Sequence, residues 1–466
     1  MKDVDAVGKE LDSSMLHQEH AYAHREELPE LDLAGSSAAD WEQSIVEGHA
    51  THPMHRARHA VPPLVPFTPQ TEFRHIALRF VAVPREQMIV QGSYDELLAP
   101  LFAAATPTET RSAGGEDDAA EVIVPVHPLH LPAVLERFPF ARPLPFESPA
   151  EAQASLRTVS PVALLDSGLD IKLPLGAKTT SALRTVSAWS AYLGPRLSSF
   201  VHGMLEDMPG APLVADEPAS VILRHSDNDV AKYLACIVRL SAQKLCRDQS
   251  EDERAVVAAA LTERDGSGRS VVCTKWGLDT AEKRREFLRA YVAKLFDAFL
   301  PPLMSHGFAF EAHQQNTLVR FDARSGQPVG FVIRDFGGIM VHMESFRRAT
   351  GGAEIPMLEG NSTSAESLDE VYGVAFHTLI QCQIYRLVRA LELHYSGGGW
   401  QVVRQEFERV VPRGCGLWEA WTQREVKLKS FVSMKLGGLY RNYVYTSVPN
   451  ILFYQDEAQG IVHPAS

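Results

Sequence analysis

The sequence predicts an α+β fold, and three observations carry that expectation. Residues 73–83 (FRHIALRFVAV) alternate as a half-buried strand should, and 121–126 (EVIVPV) form a short apolar run of strand type. Residues 316–322 and 328–336, joined around ARSGQ, read as the two arms of a hairpin. Residues 282–307 place apolar side chains at the helical period, stopping at prolines and a glycine, and the last hundred residues are mostly helical in character.

The remaining elements follow in chain order. Residues 1–47 are acidic and helix-leaning, and 48–69 are broken by proline and histidine. The polar stretch 105–121 reads as a surface loop. Residues 169–175 (LDIKLPL) predict a strand, and a helix is expected after the Thr179–Ser181 hydroxyls, with Arg184 at its opening. The polar patch 262–270 marks the expected domain boundary.

A chain of 466 residues that is 45% hydrophobic can bury a large core and divide into two or three domains. With 45 basic and 58 acidic side chains the formal charge is −13, which excludes a general nucleic-acid binder but leaves room for a local basic pocket. Five scattered cysteines without a C-x-x-C pair predict reduced thiols and a cytoplasmic setting, with no cysteine-based zinc site. The first twenty residues lack an apolar signal core, and no apolar run approaches the roughly 20 residues of a membrane span, so no membrane partner is expected.

The densest chemical signal is 310–338. Glu311, His313, Gln315 and Asn316 precede one hairpin strand, and Asp335 ends the other before Phe336-Gly337-Gly338. A carboxamide and a carboxylate brought to one end of a hairpin can hold Mg²⁺ on a polyphosphate. A single such residue reads as a polar turn; the whole cluster reads as function, because crowded polar groups are costly to bury without partners. The second signal is Ser155, Arg157, Lys172, Lys178 and Arg184, with Lys172 set inside an otherwise apolar strand; such a set suits phosphate and carboxylate. The third is His49, His52, His55 and His59, in a Pro-interrupted loop with no helical ligand face. That loop fits closure over an anion, with His52 and Arg56 or Arg58 donating, better than it fits a metal. His127 and His130 read equally well as packed loop histidines. No phosphate loop, dinucleotide fingerprint or nucleophile elbow is present.

In order along the chain, GHATHPMHRAR (48–58), VHPLH (126–130), ASLRTVS (154–160) with IKLPLGAKTTSALRT (171–185), FEAHQQN (310–316) and RDFGG (334–338) resemble the motifs of the NRPS-independent siderophore synthetases, the aerobactin-type IucA/IucC family. The resemblance runs from about residue 44 to 450. It implies a cupped-hand shape with a thumb (1–75, shortened), fingers (76–265) and a palm (266–466) carrying a kinase-like hairpin and helical nucleotide site. It implies an ATP- and Mg²⁺-dependent ligase that adenylates citrate or a related acid, then passes the acyl group to an amine, hydroxylamine or hydroxyl. Carried over by motif, Ser155, Arg157, Thr158 and Lys172 would meet ATP, with His52 over the phosphates and Gln315, Asn316 and Asp335 beside the nucleotide. Arg184, His313 and Lys172 would be catalytic, Thr180, Arg184 and His313 would hold the acid, and Glu311, Asn316 and Asp335 would hold the metal. Members are often dimers.

The sequence departs from the family at its first motif, where Ala50 replaces proline and Arg56 replaces lysine, keeping charge but not geometry. Only about 47 residues precede that motif, which is the ground for expecting a reduced thumb. Two alternatives stand beside this reading. A kinase-like phosphotransferase would share the rhythm of FEAHQQN and RDFGG, but Glu311 stands where that group needs an aspartate. A non-catalytic carboxylate or siderophore binder would need no Mg²⁺ ligands.

Overall fold

The structure is a computed structural model that describes residues 4–48, 52, 54–106, 120–179, 182–355, 363–396, 398–439, 444–456 and 460–461. It is a mixed α and β chain organised around two hydrophobic cores. The first lies on an eight-stranded antiparallel sheet. Its strands run in the order Met88–Gln91, Ala219–Leu223, Ala235–Leu240, Leu169–Lys172, Thr158–Pro161, Arg142–Ala152, His75–Pro84 and Glu121–Val126. The strands expected near 73–83 and at 121–126 pair with each other, Phe80 opposite Pro125. Arg142–Ala152 is a strand despite three prolines, a residue normally kept out of sheet interiors because it cannot donate to the ladder. It pairs with His75–Pro84 through a register shift between Arg79 and Val81, which accommodates that gap.

The second core lies on four strands, Leu213–Val214, Pro328–Ile333, Thr317–Asp322 and Glu253–Val257. The expected hairpin is its centre, with Thr317 opposite Ile333. Helix Ala281–His306 packs across it, capped by the Thr280 hydroxyl and closed by Gly307 in the left-handed region at φ 60°. The helix runs through Pro301 and Pro302 instead of stopping there. Its final turn buries Leu300 and Leu303, and that packing overrides the local cost of the prolines. The polar stretch 262–270 lies between Leu261 and Val271, which are both buried in this second core.

Two segments join the cores. Helix Ala188–Leu205 offers Ala191 to the first and Leu193, Leu197 and Val201 to the second. It starts later than expected. Ala182–Leu183 is instead a short strand paired with Ala177–Thr179, and Arg184 N–H donates to the Ala177 carbonyl at 2.8 Å, so Arg184 does not open the helix. Ser187 supplies the cap. The second joining segment is 37–48. The Glu42 carboxylate takes Arg334 at 2.7 Å and the Ala154 N–H at 3.0 Å, tying the hairpin of one core to a loop of the other. Glu47 N–H donates to buried Glu263 at 3.0 Å, and its carboxylate pairs with Arg386 at 2.6 Å. Among the described residues no helix is long and apolar enough to cross a membrane.

Burial, aided by the neighbouring Glu47 carboxylate, pushes the Glu263 carboxyl up from 4.5 to about 7. The folded state therefore holds this proton more tightly than the unfolded chain, and the stability it contributes is lost as pH rises from 4.5 through 7. Glu263→Gln should accordingly melt above wild type at pH 8, with the gap closing by pH 5, in thermal unfolding at the two pH values.

Candidate active site

Two strand ends and the end of the hairpin converge on Asp335. Thr158 and Lys172 stand opposite each other in adjacent strands, and Leu173 N–H donates to the Arg157 carbonyl at 2.8 Å, so Arg157 and Lys172 are brought side by side. Lys172 is only 2% exposed, and its Nζ donates to Asp335 Oδ1 at 2.8 Å. Asp335 sits at φ 71°, a region few residues other than glycine adopt, at a cost on the order of 1–3 kcal/mol. Its Oδ1 also accepts the Gly337 N–H at 3.1 Å, which holds the turn after the hairpin. Arg239 Nη2 lies 3.9 Å from Asp335 Oδ2 and 2.7 Å from Glu217 Oε1.

The charges in this cluster set one another. Burial favours the neutral Asp335 acid, but Lys172, Arg239 and Arg157 outweigh it and hold the carboxyl well below the usual range. Lys172 is pushed down to about 8, first by burial and then by repulsion from Arg157 and Arg239, with Asp335 opposing. For Arg239 burial again works against the charge, but Glu217 and Asp335 together keep its pKa raised.

The turn before the hairpin is built from its own motif. His313 Nδ1 accepts the N–H of Gln315 at 3.2 Å and of Asn316 at 3.3 Å, so the neutral ring carries its proton on Nε2. Burial pushes this imidazole down to about 4. Asn316 Nδ2 donates to the Glu311 carbonyl at 3.1 Å. The Thr317 hydroxyl lies 3.0 Å from the His313 carbonyl and 3.1 Å from Gln383 Oε1, and Gln383 Nε2 donates to Tyr291 Oη at 2.8 Å. Gln383 belongs to a widened helical turn, Phe376–Ile384, of the kind that recurs at functional sites. Burial, with Asp335 adding to it, pushes the Glu311 carboxyl up to about 7 against Lys429. A Cβ on Gly338 would collide with that carboxylate, which explains a glycine there.

Beside this cluster is a cavity of about 490 Å³, lined in part by Ser155, Thr179, Arg184, His313 and Gln315. The Arg184 Nε–H donates to the Thr179 hydroxyl. Arg56, Arg58, Arg74 and Arg386 also reach the cavity, giving five arginines against Glu27, Glu42 and Glu72, and Glu42 is already bound by Arg334. The space is cationic and suits a polyanion.

Lys172, Arg157, Glu311, Asn316 and Asp335 are not in the cavity wall but form the adjoining cluster. The two are coupled electrically, through Arg184 acting on Glu311 and Asp335 acting on His313. Ser155 Oγ accepts the Thr158 N–H at 3.2 Å, and Thr158 is buried in the sheet. His52 is buried away from the cavity wall. Its Nδ1 accepts the Met54 N–H at 3.1 Å and its ring lies 4.9 Å from that of Phe431, whereas His55 does line the cavity. Thr180 and His49 lie outside the described residues. His127 and His130 are packed loop histidines, pushed down to about 3 and about 4 by burial. No group of three or more His, Cys, Asp or Glu among the described residues could hold a metal.

Sequence reasoning missed Arg239 and Glu217, although Arg239 stands inside an apolar strand (ACIVRL) by the same signal that exposed Lys172. It also left the C-terminal lysines unplaced. Lys429 acts on Glu311 and His377, and Lys435 pairs with Glu10, a buried carboxylate of helix Val4–Ala23 whose other oxygen is 3.5 Å from Lys178.

Comparison with known proteins fits this arrangement. The sequence profile of the IucA / IucC family matches residues 37–263, and that of the ferric iron reductase FhuF-like transporter matches 285–424. The NRPS-independent siderophore synthetase rfs of Rhizopus delemar is 40% identical over 97% of this chain and 72% of its own length. The chain belongs to the IucA/IucC family of siderophore synthetases. That membership makes it an enzyme of the ligase type. Two solved structures share the fold. The petrobactin biosynthesis protein AsbB of Bacillus anthracis superposes with a TM-score of 0.79 at 19% identity, over 97% of this chain and 79% of that one. The ATP-bound aerobactin synthetase IucA of Klebsiella pneumoniae gives 0.72 at 18%, over 96% and 82%.

Glu217 and Arg239 are both almost fully buried, so removing one partner strands the other. Glu217→Ala should lower the unfolding free energy by about 3 kcal/mol, and a Glu217→Met, Arg239→Met pair should recover part of it, in urea titrations.

Proposed function

We propose that the chain condenses a citrate-like acid with an amine, hydroxylamine or alcohol in two steps. The acid carboxylate first attacks the α-phosphorus of ATP, giving an acyl-adenylate and pyrophosphate; the nucleophile then displaces AMP. The observation that carries this reading is one cavity holding Arg184 and His313 directly beside the Lys172–Asp335–Arg239 cluster. A carboxylate and a triphosphate repel each other, and only a preorganised cationic surface brings them together. The Rhizopus relative, named a siderophore synthetase, and the ATP-bound IucA that shares the fold support it.

In this reading Ser155, Arg157, Lys172, Gln315, Asn316 and Asp335 meet ATP, while Thr158, buried in the sheet, and His52, packed on Phe431, support that surface from behind. Arg184, His313 and Thr180 hold the acid. His313 is kept neutral by burial, so its Nε2–H donates to the carboxylate without adding a further charge. Glu311, Asn316 and Asp335 offer oxygen ligands that fit Mg²⁺, and two mutually repelling carboxylates there favour a divalent ion. That ion would neutralise charge on the polyphosphate. The thumb, fingers and palm of a cupped hand would correspond to the N-terminal segment, the eight-stranded sheet and the second core, with the hairpin 317–333 as the kinase-like nucleotide support. The expected setting is a cytoplasmic homodimer.

Arg184→Ala and His313→Ala should each lose acid-dependent ATP–pyrophosphate exchange by about 100-fold or more while remaining folded. Wild-type exchange in folded Arg184→Ala refutes the assignment, and ADP in place of AMP and pyrophosphate points to a phosphotransferase. Hydroxylamine added with ATP, Mg²⁺ and an acid panel should trap a hydroxamate. Gly338→Ala, which displaces the Glu311 carboxylate, should slow AMP formation at least tenfold with a near-normal melting temperature.

A further inference from the structure

Arg58 stands apart from the other buried cations. It is 8% exposed and lines the cavity that also contains Arg184, Thr179 and His313. Lys172 and Arg239 share Asp335, Arg239 has Glu217, and Arg334 has Glu42. Among the described residues no carboxylate lies within ion-pair distance of Arg58. Its Nη1 donates to the Ala57 carbonyl at 3.0 Å, its backbone N–H donates to Ser13 Oγ at 3.1 Å, and its guanidinium lies 5.9 Å from the Phe73 ring centre. One carbonyl uses one of five guanidinium donors. The charged groups that act on it are Arg56 and Arg184, both repulsive, and together with burial they lower its pKa well below the ordinary value. A buried guanidinium surrounded by like charge is an unfavourable arrangement unless an anion completes it.

We propose that Arg58 is a specificity-determining residue that binds a carboxylate of the acid substrate other than the one that reacts. The inference rests on the ligase reading for the role of Arg184. With Arg184 engaging the reacting end, a guanidinium close enough to repel it selects an acid with a second anionic group, so di- and tricarboxylates are preferred over monocarboxylates. The planar fork of arginine pairs with carboxylate through two parallel hydrogen bonds, a match lysine does not reproduce.

The test compares wild type, Arg58→Met and Arg58→Lys for binding of citrate, 2-oxoglutarate, succinate and acetate by calorimetry, with ATP binding and apo melting temperature measured in parallel. The expected result is that wild type binds at least one of the polycarboxylates and binds acetate far more weakly. Arg58→Met should weaken polycarboxylate binding by on the order of 30-fold or more, leave ATP affinity within about twofold, and melt no lower than wild type without ligand. Arg58→Lys should recover only part of the affinity. A purely structural arginine would instead lower the melting temperature when removed, and that outcome with unchanged acid affinity overturns the proposal. So does a loss confined to ATP or to the KM of the nucleophile, or a wild type that binds no member of the panel. Polycarboxylate binding that depends on Arg58, in a wild type that shows no ATP–pyrophosphate exchange, keeps the anion site and removes the ligase reading.

Discussion

The constraint on which the rest of this structure depends is the confinement of many cations in little space. Lys172, Arg157 and Arg239 gather around Asp335, and Arg184, Arg56 and Arg58 stand a short way off. Left to themselves such groups separate or lose protons, and Lys172 has moved part of the way toward doing so. Asp335 prevents it, held in a strained backbone geometry by the turn it terminates. Glu217 supplies the second anion, so that Arg239 can stand beside Lys172 at all. The result is a surface whose positive charge is fixed in place before a substrate arrives, which electrostatic stabilisation of a phosphoryl or acyl transition state requires.

The architecture serves that confinement by joining two cores whose edges meet at the cluster. Lys172 and Arg239 come from the central strands of the eight-stranded sheet, while Asp335 comes from the hairpin of the other. Any slippage between the cores would separate the charges. Helix Ala188–Leu205, which packs on both, and Glu42, which bonds to both, fix the relation. On the opposite side, the Thr317–Gln383–Tyr291 hydrogen bonds tie the His313 turn to the longest helix, so the imidazole rests on buried and fully engaged groups.

Much of this was legible in the chain because the relevant signals were local. The hairpin, the strand carrying Lys172 and the polar cluster 311–316 each violate an apolar pattern within a few residues, and the structure brings them together. What was not legible depended on pairing at long range. The strand Arg142–Ala152 hides behind its prolines, since only its neighbour in the sheet shows which positions escape the ladder. The true start of the helix after Arg184 was masked because Thr179 and Ser181 resemble caps, whereas the backbone there is spent on a three-stranded pairing with His59–Ala60. Arg239 carried the same signal as Lys172. Its partner Glu217 lies 22 residues earlier in sequence, and nothing local announces the match.

The pairing of Glu10 with both Lys178 and Lys435 fastens helix Val4–Ala23 to two distant stretches of the chain. One buried carboxylate is thereby shared by two amines far apart in sequence, and Phe431, close to the later of them, packs on His52. Helix Val4–Ala23 therefore reaches its final surroundings only when both amines are in place. Loss of the segment carrying Phe431 and Lys435 would leave Glu10 with Lys178 alone and take the Phe431 ring from His52, so helix Val4–Ala23 would loosen before either core did.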